Sequence, residues 1–302
     1  MNKLQATLSL AIVGLALSQG GRAEAQDQPI ETREYSRRGE VSPGTQAPTV
    51  AQMVAVIQGG SAEKLKATLE YGERVYCAEC VPLLERNLLA SGQPRVREMS
   101  AWWLRRQPFA APALVMRLRK LVRADADPVR RARAAEALGE FMDPHAVAEL
   151  SDAALADADA QVRVAAVHAL ARLNSDLGFA VLTDTLGDPD TAVKLATLDE
   201  LVNIGSFRDH GALIALLGDT SPEVRTRAAR LSGEYRVVEA LSTLVAMLEG
   251  DVSAQARKAA AWALGRVGAA EGQAALATAA GVEPDQGVLD AIRIAQRMPL
   301  RL

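Results

Sequence analysis

A chain of 302 residues is long enough for one repeat array or two ordinary domains. Its apolar share is 49% with only 4% aromatics, and Ala, Leu and Val dominate, which suits close-packed helices better than a sheet. The formal net charge of −3 gives no positive excess to draw nucleic acid, and none is expected as a partner.

Lys3 and the amino terminus precede an apolar stretch from Leu8 to Leu17, then Ala23, Glu24 and Ala25. That order predicts a signal peptide over residues 1–25, cut after Ala25. The stretch is too short for a stable bilayer span, although an uncleaved anchor is the competing reading. No Cys follows it to carry a lipid, so the expected location is periplasmic or secreted. Residues 26–47 hold Pro, Gly and charge but few large apolar groups, which predicts a flexible polar linker. Residues 48–79 are expected to form an N-terminal helical cap or degenerate repeat.

From residue 80 to 281 the chain repeats itself. Val96-Arg97 leads to Ser100-Ala101 and Leu104, and Val162-Arg163 to Ala166-Val167 and Leu170. The same frame recurs to Leu138, Leu201, Ser232 and Leu264, giving spacings of 34, 32, 31, 31 and 32 from Leu104 onward. Within each copy the apolar positions share one helical face. Small pairs such as Ala134-Ala135 let helices approach closely, and Gly139, Gly233 and Gly265 are suited to ending a helix. A shorter apolar-periodic segment precedes each motif, at 113–123, 144–155, 177–186, 210–217 and 238–248. Each repeat is therefore expected to be two antiparallel helices. Residues 282–302 are expected to supply a C-terminal capping helix.

A charge register runs with the motif. Asp125, Asp157, Asp188, Asp219 and Asp251 each stand six residues before Arg131, Arg163, Lys194, Arg225 and Arg257. An Asp in the turn between helices can accept N–H bonds near a helix start. It can also pair with the base of its own or an adjacent repeat, so these residues are read as a structural ladder and not as a site.

The motif, clearest in DPVRRARAAEALG at 127–139 and SPEVRTRAARLSG at 221–233, resembles HEAT repeats, especially the short bacterial kind related to phycobilisome lyases. The resemblance implies an all-α solenoid of about six to seven helix pairs forming a curved superhelix. These repeats serve many unrelated roles, so the resemblance alone implies no activity.

Cys77 and Cys80, just before Pro82, are read first as a local structural disulfide, with a reactive dithiol at a helix start as the alternative. The position six after each motif start reads Trp102, Glu136, His168, Asp199, Arg230 and Trp262, which the apolar stripe leaves outward. With Leu195 one turn away, this row predicts a partner-binding face around Trp102, His168, Leu195, Arg230 and Trp262 on the concave side. The other reading is that each Trp covers a seam between repeats; Trp103 is expected in the core. Basic runs at 117–123 and 130–133 are read first as a solvated face, with contact to an acidic partner as the other reading.

His145, His168 and His210 lie in separate repeats, and none is followed by Glu as in HEAT-like iron hydroxylases. No catalytic residue, metal ligand or cofactor is assigned. The expectation is an exported, non-catalytic scaffold that binds a protein or peptide. A redox-responsive module built on Cys77 and Cys80 is the alternative, and a lyase-type or chromophore-handling protein a more distant one.

Overall fold

The computed structural model describes residues 48–72, 77–204 and 207–300. The predicted signal peptide (1–25) and linker (26–47) lie outside these residues. Among the described residues there are α-helices and short 3-10 turns and no strand.

The first pair is α1 (Val50–Gly59) and α2 (Ala62–Gly72). Thr49 opens α1 with a capping box: its hydroxyl accepts the Gln52 N–H, and the Gln52 side chain accepts the Thr49 N–H. The next pairs are α3 (Cys80–Ala90) with α4 (Pro94–Leu104), and α5 (Ala111–Ala124) with α6 (Pro128–Phe141). Then come α7 (Val147–Ala156) with α8 (Ala160–Leu173), and α9 (Asp176–Thr185) with α10 (Thr191–Leu201). The last pairs are α11 (His210–Ala215) with α12 (Pro222–Glu234), α13 (Leu241–Gly250) with α14 (Ala254–Val267), and α15 (Ala270–Ala279) with α16 (Gln286–Gln296).

From α6 onward each second helix begins the same way. Asp127, Asp159, Asp190, Ser221, Ser253 and Asp285 accept an N–H from the first turn of α6, α8, α10, α12, α14 and α16. The caps therefore stand two residues after the register acids. Those acids instead accept the N–H of the cap residue, as Asp157 does from Asp159 at 2.9 Å and Asp251 from Ser253 at 2.8 Å.

The motif positions form the core. Val162, Ala166, Val167 and Leu170 are buried, as are Val193, Thr197, Leu198 and Leu201, and Trp103 is fully buried beside Leu104. Hydroxyls that fall on these positions are satisfied within the helix: Ser232 donates to the Ala228 carbonyl and Thr197 to that of Val193. Copy two departs from the rule, with Arg130 exposed at the first motif position.

The reading of Gly139, Gly233 and Gly265 as helix ends is corrected. All three lie inside helices, which continue to Phe141, Glu234 and Val267. Left-handed residues end α6, α8 and α14 instead, at Met142, Asn174 and Gly268. The three glycines serve close approach. A Cβ at Gly139 would stand 2.8 Å from the Ala169 Cα, and one at Gly265 equally close to the Ala295 Cα. The second helices thus pack closely from repeat to repeat, while successive first helices approach one another less closely. A stack tighter along one row than the other bends toward the tight row, so the second helices form the inner, concave face.

Candidate functional site

The register acids and bases form a continuous, half-buried ladder near the turns. Arg131 holds Asp157 of the next repeat with two bonds of 2.8 Å, Arg163 holds Asp188, Lys194 holds Asp219 and Arg225 holds Asp251. Each arginine also donates back to its own repeat, to the carbonyls of Asp125, Asp157 and Asp219. The side-chain pairing therefore runs to the adjacent repeat, and the link within a repeat uses backbone. Arg257 adds a rung to Glu283, which stands where the earlier repeats have Asp. Arg97 does not reach Asp125: it turns onto Glu136 at 3.0 Å and onto the Ser91 carbonyl. The ladder thus starts at Arg131, one repeat later than the motif.

The ladder shifts its carboxyls. Hydrogen bonds from Arg225 hold the Asp251 carboxyl below the usual range against the opposing effect of burial, and Arg257 does the same for Glu283. At Asp157 and Asp219 burial pushes up most strongly of any single effect. The bonds from Arg131 or Lys194 and a backbone N–H together outweigh it.

On the concave face, none of the six residues of the outward row is buried. His168 Nδ1 lies 2.6 Å from Glu200 Oε1, Arg172 pairs with Glu140 at 2.6 Å, Arg227 with Asp199 and Arg266 with Glu234 at 3.3 Å. A groove of about 610 Å³ crosses α4, α6, α8 and α10 between Arg97, Glu136, Glu140, His168 and Arg172. Burial raises the Glu140 carboxyl there, with Arg172 opposing. Between the charged rows lie the half-buried Val164 and Leu195.

The two outward tryptophans each lie under an arginine four residues on, with Arg266 5.6 Å from the ring centre of Trp262, but they differ in their seating. The Arg106 guanidinium sits 4.1 Å from the ring centre of Trp102 and covers one face. Trp262 rests on α12 over Gly233, where a Cβ would stand 2.6 Å from its Cζ3. The ring therefore fills a seam, and it also lines a second groove of about 440 Å³ with Arg230, Lys258, Ala291 and Ile294.

Cys77 and Cys80 are joined in a disulfide at the start of α3, and both residues are buried. Attack on either sulfur by an outside thiol requires local opening. Replacing both cysteines with Ala is expected to cost about 2 kcal/mol for so short a loop, read as a lower thermal midpoint that reductant does not lower further.

Among the described residues no group of three His, Cys, Asp or Glu is placed to hold a metal ion, and no helix is long and apolar enough to cross a membrane.

A family model for HEAT repeats matches residues 81–171 and 211–296, more than half the chain. The chain belongs to the HEAT-repeat family. A solved structure of YibA from Escherichia coli aligns with this HEAT-repeat protein at 16% identity and a TM-score of 0.55, over 83% of this chain and 93% of YibA. Kap121p bound to Ste12p gives 13% identity and 0.55, over 83% of this chain and 33% of Kap121p. The CpcE–CpcF phycocyanin lyase of Nostoc sp. PCC7120 gives 23% and 0.38, over 72% and 93%. No curated protein matches the chain. At these identities the likeness is one of fold.

Two features of this HEAT-repeat array escape a reading confined to the motif. Glu149 on α7 is fully buried and receives Arg119 at 2.7 Å, together with Arg123, both from α5. Burial pushes its carboxyl up, yet the bonds from Arg119 and a backbone N–H, with the field of both arginines, bring it below the usual range. The run at 117–123 is thus not simply a solvated face: Arg117 also turns onto Glu85 at 2.7 Å. Charge is also divided along the chain. Residues 80–133 hold twelve Lys and Arg against four Asp and Glu, while residues 134–300 hold thirteen against twenty-four. The small net charge conceals this division. Contacts of Arg97, Arg119 and Arg131 with Glu136, Glu149 and Asp157 cross the boundary and bind the basic repeats to the acidic ones.

Proposed function

We propose that this protein is an exported, non-catalytic scaffold whose concave row of second helices holds a protein or peptide. One observation carries the reading: Trp102 and Trp262 occupy equivalent positions on α4 and α14, partly exposed on the concave side, with Val164 and Leu195 between them. Five helix spacings of about 9 Å separate the tryptophans along the stack, a span that suits an extended segment of about fourteen residues. Indole rings at both ends and half-buried aliphatic groups between offer apolar anchors, and ion pairs within the face set its polar margin. The signal-like residues 1–25 support a periplasmic or secreted setting. Kap121p, a solenoid of similar fold, is seen bound to Ste12p.

The test uses the chain from Gln26 onward, crosslinked in periplasmic extract, with the links mapped. Links concentrated on α4, α8, α10 and α14 are expected, and Trp102→Ala combined with Trp262→Ala is expected to remove them while the helical spectrum is kept. Partners that stay bound to the double variant, or links confined to the first helices, would overturn the reading.

A further inference from the structure

The groove at Trp262 differs in charge from the rest of the concave face. It is built by three successive second helices, α12, α14 and α16. Gly233 seats the indole on α12, and the ring leaves an edge open to the groove beside Ala259 and Ala291. Ile294, 58% exposed, stands on the rim with no apolar cover. An aliphatic side chain so exposed beside a partly exposed indole marks a place where apolar surface awaits burial.

The charges lining the groove divide into satisfied and unsatisfied. Both acids are engaged: Glu234 pairs with Arg266, and Asp290 accepts from Arg293 at 2.8 Å and from Gln286 at 3.0 Å. Both bases lack such a partner. Arg230 and Lys258 are exposed, and neither makes an ion pair with a carboxylate among the described residues. Elsewhere on this face the arrangement is closed, as in Arg97 with Glu136, Arg172 with Glu140 and Arg227 with Asp199. An apolar seat flanked by two unpaired cations fits a large apolar side chain with a carboxylate next to it.

We propose that the groove formed by Trp262, Ile294, Arg230 and Lys258 is a docking site for an acidic peptide segment, inserting an aromatic or aliphatic side chain against Trp262 and setting neighbouring carboxylates on Arg230 and Lys258. The proposal deepens the scaffold reading and rests on it for the biological partner. The apolar contact supplies most of the affinity, and the cations choose the sign of the partner. Because both cations are exposed, their effect weakens as salt rises.

The chain has three tryptophans, so its indole N–H spectrum holds three signals, and Trp262→Phe assigns the one needed. The probes are acetyl-Gly-Asp-Phe-Glu-Gly-amide, its Asn/Gln counterpart and its Lys/Lys counterpart, each titrated into the folded chain. The acidic probe is expected to shift the Trp262 signal and to bind about tenfold more tightly than the neutral one, two exposed ion pairs at about 0.7 kcal/mol each. The basic probe is expected to bind more weakly still. Arg230→Gln combined with Lys258→Gln should abolish the difference between acidic and neutral probes and keep the apolar contact. Equal binding of all three probes, or shifts confined to Trp102 and Trp103, would overturn the site. If that happens while protein partners still crosslink to the concave face, the scaffold reading survives without this groove. If the acidic probe binds as expected but no protein links to the face, the groove stands and the scaffold reading falls.

Discussion

Arg225→Ala is expected to lower stability by about 3–5 kcal/mol, far more than Arg227→Ala two residues later. Arg225 grips Asp251 with bonds of 2.6 and 2.7 Å and donates to the carbonyls of Asp219 and Thr220. Its removal leaves a carboxylate whose side chain is 5% exposed, with the Ser253 N–H as its remaining close donor. A buried charge stripped of its partner bears the full cost of its lost hydration. Arg227 and Asp199 are 45% and 48% exposed, so water replaces the lost contact and the expected change is within about 1 kcal/mol. The pH dependence follows from the sign of the shift. Asp251 has a depressed value in the folded chain, so its contribution is present above the ordinary carboxylate value and is lost as pH falls through the folded one. The gap between wild type and Arg225→Ala should therefore be widest near neutrality and narrow below about pH 4. Urea unfolding of the two variants at pH 7 and pH 3 measures this; equal losses at pH 7 would remove the ladder from the account of stability.

The helix pairs are legible in the sequence because a solenoid repeat touches only its neighbours, so the pattern that makes each helix also makes its contacts. Val162, Ala166, Val167 and Leu170 announce both the face and its burial. What joins one repeat to the next is less visible. Arg225 and Asp251 are 26 residues apart, and sequence alone does not choose between a partner in the same repeat and one in the next. Glu149 looks like an ordinary surface acid in α7, since the arginines that reach its buried carboxylate from the surface belong to α5. The outward row was legible by position, but its two tryptophans are equivalent in the motif and unlike in the fold. Arg106 lies close over one, while the other has Arg266 farther off and is seated on Gly233 from the preceding repeat. The groove beside Trp262 also depends on α16, where Val288 and Ile292 continue the 32-residue register from Ala256 and Ala260 while Arg293 and Gln296 break its apolar half. Both residues are exposed, and among the described residues no helix packs on that side of α16.

Gly139→Val is the second substitution with a large expected effect, a loss of about 1–3 kcal/mol. Helix propensity alone predicts the opposite, since glycine inside a helix costs about 0.5–1 kcal/mol relative to alanine. The neighbour decides the sign. A Cβ at Gly139 meets the Ala169 Cα at 2.8 Å and its Cβ at 3.0 Å, so helix backbone and not a flexible side-chain tip must move. Gly250, at the end of α13, has nothing within 4 Å of its Cβ site, and Gly250→Ala is expected to be neutral or slightly stabilising. The pair of variants separates propensity from packing. Because α6 and α8 belong to the tight inner row, a larger residue at 139 should also push those helices apart and open the arc of the array. Small-angle scattering should then show a larger radius of gyration for Gly139→Val and none for Gly250→Ala. If Gly139→Val proved as stable and as compact as the parent, the close approach of second helices could not be what sets the curvature, and the concave face would need another cause.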